Sequence, residues 1–200
     1  CNVCVEVQGS VAHDSNVFVC NHVSWLDILI IQSLLNISFV AKSEVKGWPV
    51  FGFLAKIAGT VFVDRRVMAA KSQLPDLTNA LKCGKCLCLF PEGTSTDGSH
   101  VLPFKSSLFE VFTSLEKKAN LTAVVQPISL VYWHEKTQSS AIFGWWGDMN
   151  LMRHIFDVVS NVKSGKVFVT FEAALDAKKI GDRKKLALLA ELEIRKRFPD

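Results

Sequence analysis

Residues 17–27 read Val17-Phe18-Val19-Cys20-Asn21-His22-Val23-Ser24-Trp25-Leu26-Asp27, and a helical pattern runs on from Trp25 to about Leu35. A short apolar run, a polar turn and an apolar helix make the strand-to-helix unit of an α/β sheet. The unit recurs on both sides. Strands are expected at Val3–Val7, Ser38–Ala41, Thr60–Val63, Cys86–Phe90, Ala123–Tyr132 and Val167–Phe171, and helices over Met68–Lys82 (with Pro75 inside), Ser106–Lys118 and Asp182–Phe198. Val45–Ala58 reads as irregular to helical, and Pro91–Pro103 as a polar loop. Alternating strands and helices imply one α/β domain over residues 1–200, with a central, mixed but mostly parallel sheet flanked by helices.

Composition narrows the class. Hydrophobic residues are 49% of the 200 and charged residues 21%, the opposite of the balance that disorder requires. The most apolar stretch, Leu26 to Ala41, is interrupted by Asp27, Gln32, Ser33 and Asn36, so no membrane-spanning helix is expected within it. Aromatic usage is skewed, with 14 Phe and 5 Trp against one Tyr. The chain's net charge of +4 equals that of residues 178–200, read as a basic C-terminal helix. Such a segment suits an anionic membrane surface, or equally a solvated helix face. No zinc-finger, helix-turn-helix or RNP pattern accompanies it, so nucleic acid is not the expected partner. The first residue is Cys1, which reads as a chain lacking an N-terminal, membrane-anchoring segment. Cys1/Cys4 and Cys83/Cys86 are too far apart for a zinc ribbon, and Cys86 and Cys88 alternate as strand core residues do. Buried thiols in a reducing compartment are the expectation, and no metal.

In an open α/β sheet the chemistry gathers just beyond the carboxyl ends of strands. Three polar clusters fall there: Asn21-His22, Asp64-Arg65 and Pro91-Glu92-Gly93-Thr94. Asp27 can fold back from the first helical turn onto His22, orienting a general base, while Ser24-x-x-Asp27 also reads as a capping box. Arg65 suits a phosphate or carboxylate, or a surface pair with Asp64. Gly93 and Gly98 have phosphate-loop spacing, but Ser99-His100 stands where Lys-Ser/Thr is required, and no Gly-x-Ser-x-Gly elbow occurs. Lys105 adds a cation nearby.

Taken in order, these clusters resemble the glycerolipid acyltransferase superfamily, the PlsC-like lysophosphatidic acid acyltransferases. Asn21, His22 and Asp27 match its Asn-His-x4-Asp motif, and Gly59, Phe62, Asp64 and Arg65 its second motif. Phe90-Pro91-Glu92-Gly93-Thr94 matches the third, and Val125-Gln126-Pro127-Ile128 the fourth. The resemblance implies that His22, oriented by Asp27, deprotonates a lysolipid hydroxyl that attacks acyl-CoA or an acyl carrier protein (acyl-ACP) thioester. It implies backbone donors near Gly93 for the oxyanion, and acceptor binding by Asn21, Arg65, Glu92, Gly93, Thr94 and Lys105. No cofactor beyond the acyl donor is implied, and the setting is the cytoplasmic face of a bacterial inner membrane. The family's arginine after Gly-Thr is Ser95 here. That loop looks like a bacterial subgroup containing lyso-ornithine lipid acyltransferases, whose acceptor is less anionic; lysophosphatidate is the alternative acceptor. A membrane-associated lipid-binding protein on the same scaffold is the non-catalytic alternative. Trp48, Phe51, Phe53, Trp145 and Trp146 suit the acyl chain or ordinary core, with Trp145-Trp146 read as the interfacial pair.

Overall fold

The computed structural model describes residues 3–42, 60–63 and 74–199. Eight strands join one sheet: β1 (Val3–Gln8), β2 (Val17–Cys20), β3 (Ile37–Lys42), β4 (Val61–Val63), β5 (Cys86–Leu89), β6 (Val124–Trp133), β7 (Gly165–Phe171) and β8 (Leu175–Asp176). Their order is β1-β7-β6-β2-β5-β3-β4, with β8 beside the start of β6. From β6 to β4 every neighbour is parallel; β7 and β8 run antiparallel to β6, and β1 follows β7 in parallel. The sheet is mixed and mostly parallel, as the sequence implies.

The central strands are continuous apolar runs because both faces are covered. Val17, Val19, Leu87 and Leu89 point to one side. There they meet α2 (Leu74–Lys82), α3 (Glu110–Ala119) and α6 (Arg183–Arg195) through Leu77, Leu81, Phe112, Leu115, Leu186 and Ile194. Phe18, Cys20 and Cys88 point to the other side, against α1 (Leu26–Leu34) and α4 (Leu151–Asn161). Ile128, Leu130 and Tyr132 of β6 share this second face, which aims Tyr132 towards α1.

Pro127 sits mid-strand in β6, where a missing N–H would normally weaken a sheet. It lies in the gap between the residues paired to β7 (from Ile128) and those paired to β8 (Val124 and Val125). Its carbonyl accepts from Glu172 N at 2.9 Å. Beside it the Gln126 amide accepts from Ala12 N and donates to Ser10 O and Glu172 O, at 2.9–3.0 Å. Pro75, awkward in a helix begun at Met68, is the second residue of α2, within the first turn where proline is tolerated. Residues 64–73, which include Met68, lie outside the described residues. Ser106–Phe109 forms a 3-10 turn before α3.

The basic C-terminal segment is divided. One turn, α5 (Ala177–Ile180), ends at Gly181 with φ 67°, and Asp182 then caps α6 by accepting from Lys185 N. Arg183, Arg195, Lys196 and Arg197 pair with Glu110, Glu191, Glu193 and Glu172 at 2.6–2.8 Å, and Lys179 pairs with Asp176 at 3.4 Å. Much of the positive charge is thus met within the fold. Among the described residues no helix is long and apolar enough to cross a membrane.

Candidate active site

At the end of β2 the main chain leaves the sheet and the Asn21 side chain continues the pairing in its place. Its Oδ1 accepts from Leu130 N at 2.8 Å and its Nδ2 donates to Leu130 O at 2.9 Å, as a peptide group of the strand would. The amide is buried and committed to β6, and the turn that follows carries His22 outward. Asn21→Ala should lower stability by about 2 kcal/mol, because the Leu130 N–H and C=O are left without partners. Urea unfolding would measure this, and a change within error would contradict the role.

The turn is organised around one carboxylate. Asp27 is fully buried, and its Oδ2 accepts from Val23 N at 2.7 Å and Ser24 N at 2.9 Å. The same oxygen lies 2.7 Å from His22 Nδ1. The capping box is only half formed: the Asp27 carboxylate ties Ser24 N at the helix entry and also grips the imidazole, but the Ser24 hydroxyl has no hydrogen-bond partner among the described residues. With Nδ1 hydrogen-bonded to Asp27, Nε2 is the ring nitrogen left to accept a proton. The imidazole stacks on Phe90 with centroids 4.1 Å apart and planes 18° apart. Phe90 in turn stacks on Phe39 at 5.9 Å. The ring is therefore held by packing on one side and by a carboxyl group on the other.

Glu92 holds the backbone of the same residue. Its Oε1 accepts from His22 N and its Oε2 from Leu102 N, both at 2.7 Å, and the side chain is buried at 2% exposure. Burial pushes its carboxyl up to about 7, against the opposing pull of those two N–H groups. Thr96 N closes the frame by donating to His22 O at 2.9 Å. Gly93 has φ 72°, and a Cβ there would overlap Lys105 Nζ, so the Lys105 ammonium lies against the glycine's open face. The Gly93 N–H, in the region expected to offer an oxyanion donor, is donated to Phe90 O at 3.0 Å. Ser95, where the family motif has arginine, donates its hydroxyl to Trp145 O.

The fold thus brings His22, Asp27, Glu92, Gly93 and Lys105 together at the carboxyl ends of β2 and β5, with Asn21 as the brace beneath. Thr94, exposed, lies on the same loop. Arg65 lies outside the described residues, as do Asp64, Gly59, Trp48, Phe51 and Phe53. Trp145 N donates to Val23 O at 2.9 Å, tying the Trp145-Trp146 segment to the His22 turn, and Trp146 is 38% exposed. Among the described cysteines, Cys20 and Cys88 are buried and Cys86 partly so, while Cys4 and Cys83 are exposed. One site residue is absent from the sequence reading: the Tyr132 hydroxyl donates to Asp27 Oδ1 at 2.6 Å. Its one signal was being the chain's single tyrosine.

A family model described as Acyltransferase matches residues 2–131, which include Asn21, His22, Asp27, Glu92, Gly93, Thr94 and Lys105 but not Tyr132 or Trp145-Trp146. The chain belongs to this acyltransferase family. It is 36% identical to a protein of Rhodobacter capsulatus named lyso-ornithine lipid O-acyltransferase, across 98% of this chain and 72% of that one. It is 33% identical to a Neisseria gonorrhoeae protein named 1-acyl-sn-glycerol-3-phosphate acyltransferase, across 92% of this chain and 69% of the other. The fold is shared with the crystal structure of the 1-acyl-sn-glycerophosphate acyltransferase PlsC from Thermotoga maritima. That match has a TM-score of 0.69 and 23% identity, and covers 97% of this chain and 70% of that one. For an acyltransferase the arrangement is apt, since a ring nitrogen with a fixed partner can take a hydroxyl proton at the mouth of the sheet.

Proposed function

We propose that this chain transfers a fatty acyl group from a thioester, acyl-CoA or acyl-ACP, to the hydroxyl of a lysolipid. The observation that carries the reading is the 2.7 Å contact between His22 Nδ1 and the fully buried Asp27, which leaves Nε2 as the base. Nε2 takes the acceptor's hydroxyl proton as the oxygen attacks the thioester carbonyl. The new C–O bond forms, the C–S bond breaks as the tetrahedral intermediate collapses, and His22 returns the proton to the departing thiolate. Asp27 stabilises the imidazolium in between. A thioester is already activated, so no covalent acyl-enzyme is required. The oxyanion donors are assigned to backbone N–H groups around Gly93, whose own N–H is donated to Phe90 O. Asn21 and Glu92 act by holding the His22 turn in place, and Lys105 with Arg65 serves the acceptor's anionic group.

The acceptor assigned is lyso-ornithine lipid. Ser95 leaves the motif's cation out, and its hydroxyl is engaged by Trp145 O, which suits an amino-acid headgroup better than a phosphate. The relative at 36% identity bears that acceptor in its name. Lysophosphatidate is the second reading, favoured by the Lys105 ammonium against Gly93 and by the Neisseria relative. The assigned place of work is the cytoplasmic face of a bacterial inner membrane, where both lipids are met.

Thiol release from palmitoyl-CoA and from palmitoyl-ACP, with each lysolipid supplied separately, tests the reading. Faster release with lyso-ornithine lipid, and product lipid by mass spectrometry, is the expected result. Preference for lysophosphatidate would move the assignment to the second acceptor. Stoichiometric lipid binding by folded protein, with no release on any acceptor, would overturn the enzymatic reading.

A further inference from the structure

The buried side of the His22–Asp27 pair ends in a group that acyl transfer does not by itself require. Asp27 Oδ2 carries His22 and two backbone N–H groups, while Oδ1 accepts from the Tyr132 hydroxyl at 2.6 Å. Tyr132 arrives from β6, 105 positions along the chain from Asp27. Its ring is 2% exposed and stacks on Phe143 at 5.2 Å. Packing alone would be met by phenylalanine, which this chain uses 14 times against one tyrosine. The hydroxyl is what distinguishes the residue, and it is aimed at the carboxylate that orients the base.

We propose that Tyr132 is a positioning residue that sets the basicity of His22 through Asp27. A hydrogen bond donated to an ionised carboxylate draws charge away from its other contacts. With the Tyr132 donor present, Asp27 pulls less strongly on the imidazolium, and His22 gives up its proton at lower pH. Without it, the negative charge falls more fully on His22 and the imidazolium persists to higher pH. The phenol remains a donor throughout, because burial and the neighbouring Asp27 hold its ionisation well above the usual tyrosine range.

Among the described residues, the other groups facing this pair are Cys20 of β2, Cys88 of β5 and Glu92 of the loop after β5. Both thiols are pushed up by burial and stay neutral, so Glu92 is the neighbour that changes charge near neutral pH. Farther out, His134 meets Phe143 edge-on at 6.2 Å, and His154 of α4 accepts from Trp25 Nε1 at 3.1 Å. Among the described residues, Lys105, against Gly93, is a nearby cation.

The inference rests on His22 being the base, and its test reads the imidazole directly, without requiring turnover. The ring nitrogens of His22 would be titrated by NMR in wild type, in Tyr132→Phe, and in protein grown with a ring-fluorinated tyrosine. Global replacement with that analogue modifies one site, since Tyr132 is the only tyrosine. Tyr132→Phe should raise the His22 midpoint by on the order of one pH unit, with the acid limb of kcat/KM moving alongside. The fluorinated phenol, a stronger donor, should lower it. The isosteric analogue also keeps the test open where Tyr132→Phe fails to fold. Midpoints coinciding in the folded forms, or moving in the same direction in both, would overturn the proposal, whatever happens to kcat. Absence of acyl transfer in wild type would count against the proposed function and leave the His22 shift to be read on its own.

Discussion

Replacing His22 by alanine should lower acyl transfer by about 10²–10⁴-fold, the usual contribution of a positioned general base. The loss falls on the chemical step. The scaffold around residue 22 is held by its main chain, through its N–H to Glu92 and its carbonyl from Thr96 N, and alanine keeps both. What alanine removes is Nε2, the Nδ1 contact to Asp27 and the stack on Phe90. The stack is worth about 1 kcal/mol, so melting temperature should fall only modestly. Single-turnover thiol release beside a thermal melt separates the two effects. A variant that melts like wild type and transfers acyl groups at nearly the wild-type rate would remove His22 from the chemistry.

Glu92→Gln should be costly in a different way. Both carboxylate oxygens accept backbone N–H groups, whereas an amide can accept with one end only. The other end sets a donor against a donor, so either His22 or Leu102 must shift. A base displaced by ~1 Å costs on the order of 10²-fold in rate, so kcat should drop through the shift of His22.

The pH dependence carries a sign that can be checked. Burial raises the Glu92 carboxyl from its ordinary value of 4.5 to about 7, so the folded protein binds this proton more tightly than the unfolded chain does. Its contribution to stability is therefore fully present below about 4.5 and is lost as pH rises towards 7. The expected loss is about 3 kcal/mol between the two limits. Urea unfolding at pH 5 and pH 7.5 should show this decline in wild type and not in Glu92→Gln. Identical pH slopes in the two proteins would mean that the buried carboxylate does not titrate as described.

Much of this was legible without coordinates. The strand at Val17–Cys20, the helix after Trp25 and the strand at Cys86–Leu89 follow from local apolar period, and those elements alone set Asn21-His22 and Pro91-Glu92 at the same end of the sheet. α4 is absent from the sequence reading although its period is legible: Leu151, Ile155 and Val158 recur at helical spacing and turn inward, while Met152 and Phe156 add exposed apolar residues that blur the stripe. A second local signal was the Asn150 cap, which accepts from Arg153 N. β8 and α5, two and four residues long, are too short to carry a period.

By itself the sequence determined the α/β architecture, the ends of the strands and the pairing of His22 with Asp27, because each depends on residues within a few positions of one another. The tertiary structure decided what the partners do. Asn21 and Glu92 read as acceptor contacts, and only the assembled fold shows that their polar ends also brace the backbone, meeting N–H and C=O groups brought from β6 and the residue 102 loop. The basic C-terminal residues read as one charged face, yet carboxylates contributed by α3, the end of β7 and α6 itself meet half of them. Tyr132 reads as one more aromatic strand residue until β6 is laid beside β2. Local pattern depends on chain spacing, which a sequence displays; partnership depends on which backbone crosses which, and that is settled only when the sheet is assembled.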